Sequence, residues 1–193
     1  MLQKAQIRNV IREAYKKTLE EERKIWSSKI KDKLLHLPIY QQAKRVMLYA
    51  ALPDEANITS IISAQSYPKK LFWFPKIIDK ETIIPQLYTP EKGFTTDSEE
   101  TPFHIKEPRG EIQAICPELD LIIVPGMAFD HNGHRLGRGK GFYDRFLKKY
   151  PRCYKIGVCF PYQFVDEIPI SEHDINMDLI ISITDKLSQK RDS

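Results

Sequence analysis

Apolar positions along the first forty residues recur with a helical period. Ile7, Val10, Ile11 and Ala14, then Trp26, Ile30 and Leu34, stand three and four residues apart among charged neighbours, which predicts one long helix or two shorter ones from Gln3 to about Leu37. After that the pattern changes. "RVMLYAAL" (45–52), "LFWFPKI" (71–77), "LDLIIVPG" (119–126), "KIGVCF" (155–160) and "LIISIT" (179–184) are short apolar runs rich in β-branched and aromatic residues, as expected of strands covered on both faces. Between them, "NITSIISAQ" and "GFYDRFLKKY" have the spacing of helices, with Asn57 or Thr59 placed to cap the first. This alternation predicts an α/β sandwich with a mostly parallel or mixed central sheet flanked by helices. Residues 78–118, punctuated by Pro85, Pro90, Pro102, Pro108 and Pro117, are expected to be irregular and to hold a hairpin or covering loops. Neither a repeat nor a linker divides the chain, so residues 1–193 read as a single domain, with a polar tail (185–193) expected to fray.

Composition narrows the class. With 193 residues, 41% of them hydrophobic and 29% charged, the chain is long enough to bury a core without disulfide or metal staples. A net charge of +4 favours anionic ligands but lacks the dense basic stripes of a nucleic-acid binder, so no nucleic-acid partner is expected. The longest apolar run, "LDLIIVPGMAF", is too short to span a bilayer, and "MLQKAQIRNVIR" carries charge where a signal peptide needs an apolar segment. Cys116, Cys153 and Cys159 are odd in number and have no C-x-x-C spacing, which points away from a disulfide framework or a zinc site. A cytoplasmic monomer with no membrane partner is the expectation.

Candidate chemistry concentrates in "GHRLGRGKGFYDRF" (133–146), which holds four of the chain's eight glycines interleaved with Arg135, Arg138 and Lys140. Backbone amides in such a loop, followed directly by a helix N-terminus, make a nest suited to phosphate. The loop follows a buried strand, where ligand crevices of open α/β sheets lie. It is not a Walker A loop, because His134 stands where the first glycine should be and Gly141 follows Lys140; nor is it a dinucleotide fingerprint, because Phe142 replaces the last glycine.

The segment "VPGMAFDHNGHRLGRGKGFYDRFL" resembles instead the signature of the 5-formyltetrahydrofolate cyclo-ligase family, also called methenyltetrahydrofolate synthetases, with its R-L-G-x-G-x-G-[YF]-Y-D core. "KAQIR", "LPDEANITSII", "FWFPK", "HIKEP" and "HDINMDLIIS" match further family elements in the same order along nearly the whole chain. The resemblance implies MgATP-dependent closure of 5-formyltetrahydrofolate to 5,10-methenyltetrahydrofolate, with release of ADP and phosphate. It implies that Lys4, Arg8 and the run Arg135, Leu136, Gly137, Arg138, Gly139, Lys140, Gly141, Phe142 and Tyr143 bind ATP. Arg138, Lys140 and Tyr143 are the implied catalytic residues.

Folate is assigned by the same resemblance to Glu55, Phe103 and the loop residues Arg138 to Phe142. Mg2+ is assigned to Asp144 and Asp178, with Asp174 the alternative to the latter. Without the resemblance, Lys4 and Arg8 would read as part of a solvated helix face that continues through Arg12 and Lys16. Two other readings stay open at this level. One is a different ATP-dependent small-molecule kinase or ligase on the same scaffold; the other is a non-catalytic nucleotide- or RNA-binding module, which the apolar "LFWF" strand disfavours.

Overall fold

The computed structural model describes residues 2–62, 70–95, 106–111, 118–183 and 188–189. The N-terminal periodicity resolves into two helices, α1 (Lys4–Lys17) and α2 (Glu20–Leu35). The break falls at Thr18 and Leu19, both extended. The Leu19 N–H donates to Glu22 Oε2 (2.9 Å), and three glutamates in the first turn of α2 face the positive end of its dipole. Of the apolar positions on α1, Ile7 and Ile11 are buried, whereas Val10 is 56% exposed, so the buried stripe is narrower than its spacing indicated. A short helix α3 (Pro38–Gln42) leads into the sheet.

Seven strands form that sheet in the order β3-β2-β1-β4-β7-β8-β9. They are β1 (Arg45–Met47), β2 (Leu71–Ile77), β3 (Ile83–Leu87), β4 (Leu121–Val124), β7 (Tyr154–Val158), β8 (Leu179–Ile181) and β9 (Ser188–Gln189). β2, β1, β4, β7 and β8 run parallel, and the antiparallel β3 and β9 form the edges, so the mixed α/β sandwich is as expected. A hairpin, β2–β3, does enter residues 78–118, but its first strand lies ahead of them; it is closed by Asp79 Oδ1 accepting from the Glu81 and Thr82 N–H groups. "NITSIISAQ" is corrected: its described part is one 3-10 turn (Thr59–Ile61), with Asn57 Oδ1 accepting from the Thr59 N–H at 3.1 Å.

Side chains alternate across the central strands and build two cores. Leu121 and Ile123 face one side with Ile30 and Leu34 of α2, while Ile122 and Val124 face the other with Phe146 and Leu147 of α4 (Phe142–Leu147). Each such fully buried side chain contributes about 1.5–3 kcal/mol. The connection after β4 holds a small antiparallel hairpin, β5 (Ala128–Phe129) and β6 (Arg135–Leu136). Its turn is organised by the fully buried Asp130, which accepts from the Asn132, His134 and Ile168 N–H groups and lies 2.8 Å from His134 Nδ1. The ring of Phe129 fastens the hairpin to the sheet by lying over Gly157, where a Cβ would come 2.4 Å from Phe129 Cε1.

Candidate active site

A cleft opens beyond the C-terminal ends of β1 and β4, between two stretches of chain that leave the sheet. Residues 48–52, expected as a continuation of β1, depart from it instead, and Tyr49, Ala50 and Leu52 become one wall. Pro75, Ile77 and Ile83 from the β2–β3 hairpin add an apolar floor, and Gly126 and the glycine-rich loop make the opposite wall. The lining is mostly apolar with a few convergent charges, as in small-molecule sites.

The loop turns from β6 into α4. Gly139 (φ +99°) and Gly141 (φ +69°) have the left-handed backbone that favours glycine, and Gly141 is the residue that opens α4. Gly137 lacks that conformation; its carbonyl accepts instead from Arg8 Nε at 2.9 Å, so α1 is tied to the loop. Arg135 is almost wholly buried. Its Nη2 donates to Asp144 Oδ1 at 2.8 Å, and its guanidinium lies 5.5 Å from the Tyr143 ring centroid. The Tyr143 hydroxyl is buried without a partner among the described residues, and burial raises its pKa well beyond the ordinary range.

Across the mouth, Arg138 Nη2 donates to Asp54 Oδ1 and lies 3.4 Å from Glu55 Oε1. Glu55 is 9% exposed and accepts from the Leu52 N–H at 3.0 Å. Burial holds its carboxyl above the ordinary 4.5, outweighing the opposite pull of Arg138. Lys140 and Phe142 line the same cleft, and the Lys140 side chain is exposed.

Three assignments drawn from the resemblance sit elsewhere. Leu136 turns into a core with Ile7 and Ile11, away from the cleft. Asp178 accepts from the Lys155 N–H at 2.7 Å at the start of β7 and β8, the opposite end of the parallel strands, so the structure does not bring it to the loop. The carboxylate that does lie near the α1 cations is Asp174, which pairs with Lys4. Lys4 itself is held by Asp174 and Ser171 and does not line the cleft. Phe103 falls outside the described residues. Sequence reasoning missed Asp54, which the adjacent Glu55 signals, and Gln163, which nothing local signals.

Among the described residues no three His, Cys, Asp or Glu side chains gather as a metal cage. None of their helices is long and apolar enough to cross a membrane.

The comparisons with known proteins agree with this architecture. The profile of the 5-formyltetrahydrofolate cyclo-ligase family matches residues 1–183. A probable 5-formyltetrahydrofolate cyclo-ligase of Caenorhabditis elegans is 28% identical, over 92% of this chain and 91% of its own. The Haemophilus influenzae 5-formyltetrahydrofolate cyclo-ligase is 30% identical, over 73% and 76%. The NMR structure of Aquifex aeolicus 5,10-methenyltetrahydrofolate synthetase superposes with a TM-score of 0.80 at 31% identity, over 98% of this chain and 94% of that one. A Mycoplasma pneumoniae 5,10-methenyltetrahydrofolate synthetase, 23% identical, shares the fold at a TM-score of 0.71 over 94% and 99%. With the family profile matching residues 1–183 and these relatives aligned over most of their length, the chain belongs to the 5-formyltetrahydrofolate cyclo-ligase family of enzymes.

Proposed function

We propose that the cleft closes 5-formyltetrahydrofolate to 5,10-methenyltetrahydrofolate at the expense of ATP. The observation that carries this reading is the facing of two unlike walls: a cationic, glycine-shaped loop on one side and the buried acceptor Glu55 on the other. The first suits a polyphosphate. The second suits the N–H donors of a pterin, because a dry carboxylate gains most from a donor partner.

The reaction needs both. A formyl oxygen is a poor leaving group until it takes the γ-phosphoryl of ATP, which forms a new O–P bond as the bond to ADP breaks. N10 then attacks the activated formyl carbon, phosphate departs with the former formyl oxygen, and loss of the N10 proton leaves the methenyl bridge. No protein nucleophile is involved. Catalysis rests on alignment and charge neutralisation, which we assign to Arg138, Lys140 and the loop amides, with Phe142 and Tyr143 against the pterin.

Mg2+ takes one or two carboxylates beside phosphate oxygens and waters. Asp144, on the cleft wall, would hold it, with waters and phosphate oxygens completing its shell. When bound, it neutralises charge on the phosphate oxygens.

The test is the absorbance of the methenyl product with 5-formyltetrahydrofolate and MgATP, with Lys140→Ala alongside. Chromophore and ADP in equal amounts, slowed about a hundredfold by the substitution, support the reading. ADP formed without chromophore would remove folate and leave another ATP-dependent enzyme.

A further inference from the structure

Arg138 spans the cleft from the phosphate loop to the acid turn, and the two acids it meets are not equivalent. Glu55 lines the cleft, whereas Asp54 stands beside it and its carboxylate reaches the cleft through Arg138. Both contacts use Nη2, and a guanidinium has several further donors set in a fork. One arginine can therefore hold a carboxylate and a phosphoryl oxygen together.

The turn that carries Asp54 is fixed from beneath. Gln163, 2% exposed, donates through Nε2 to the carbonyls of Asp54 and Gly126, both at 3.2 Å, and accepts from the Phe160 N–H at 2.8 Å. This clamps the turn to the chain leaving β4 and the chain leaving β7. The Glu55 N–H donates to the Leu52 carbonyl at 2.9 Å and closes the turn's other side. Asp54 is thus an anchored charge facing an arginine that is itself 41% exposed and has solvent to swing into.

We propose that Asp54 is a positioning residue that keeps Arg138 aimed across the cleft when folate takes over Glu55. The proposal rests on the function given above. As Glu55 turns its oxygens to the pterin, Arg138 loses that partner, and the Asp54 carboxylate is what remains to hold the fork over the phosphoryl group. Removing its charge without changing its shape frees Arg138 and leaves Glu55 in place.

The test is a double-mutant cycle of Asp54→Asn and Arg138→Gln, read as kcat/KM for ATP, as KM for folate and as affinity for a non-hydrolysable ATP analogue. Asp54→Asn is expected to lower kcat/KM for ATP about tenfold and to leave KM for folate within about twofold. In the Arg138→Gln background the same change is expected to cost less than about twofold. An equal loss in both backgrounds overturns the proposal, since Asp54 would then act independently of Arg138. Thermal unfolding checks that each variant is folded, and Asp54→Ser replaces the asparagine variant if that one is not. A wild-type protein that forms no methenyl product refutes the function and not this coupling, which is then decided by the same cycle on analogue affinity.

Discussion

Arg135 and Asp144 form an ion pair at the root of the glycine loop, with Nη2 and Oδ1 2.8 Å apart and the guanidinium only 4% exposed. The pair joins β6 to the first turn of α4, so it sets how the loop leaves the hairpin. Its arginine has little else: Nη1 reaches the Pro125 carbonyl at 3.3 Å, and Nε is buried without a partner among the described residues.

Asp144→Asn keeps the shape and removes the compensating charge. Breaking a pair whose arginine stays buried is expected to cost about 2–3 kcal/mol, at the low end because Asp144 is 24% exposed. Urea unfolding of the two proteins measures it. An unchanged midpoint would show that the loop is held by its backbone alone.

Glu55 ties stability to pH with a definite sign. Its folded pKa is raised above the ordinary 4.5, so the folded state holds the proton more tightly than the unfolded chain. The stability this confers is complete below about 4.5 and is lost as pH rises through the folded value. Glu55→Gln, which retains an oxygen for the Leu52 N–H, is therefore expected to melt higher than the wild type at neutral pH and level with it below pH 4.5, while losing folate affinity. Melting curves across pH decide the matter; a variant less stable at neutral pH would mean that the Arg138 contact outweighs burial.

Gly157 is a steric requirement imposed from outside its own strand. The Phe129 ring lies where its side chain would be, so Gly157→Ala must push the β5–β6 hairpin away. A loss of about 2 kcal/mol is expected from such overpacking. Activity should fall with it, because the loop begins where β6 ends. Stability and turnover that both survive would place the hairpin's anchorage elsewhere.

The five parallel strands were legible because burial on both faces leaves a continuous apolar run, the simplest signal a sheet can give; β3, β5, β6 and β9 were not read as strands. That signal could not show where a run leaves the sheet: Tyr49 is as buried as Val46 and Met47, yet it belongs to a wall of the cleft. The β5–β6 hairpin was hidden for the opposite reason. Its turn is organised by a buried aspartate rather than by apolar alternation, and "DHNGH" reads as plain loop. Asp174 and Asp178 stand four residues apart ahead of β8, and nothing in the sequence shows that the first pairs with Lys4 while the second accepts from the Lys155 N–H. Gln163 acts through three backbone partners distant from it or turned inward, and no local pattern announces such a residue.

The pairing of Lys4 with Asp174 joins positions 170 residues apart. A ribosome releases Asp174 long after α1, so α1 waits while everything between is made before the contact that steadies its first turn can form. The glycine loop emerges in between and meets Arg8 first. Nascent chains arrested before residue 174 should therefore hold the loop against a helix whose beginning is still loose, and α1 would settle only when the segment carrying Asp174 folds back onto it.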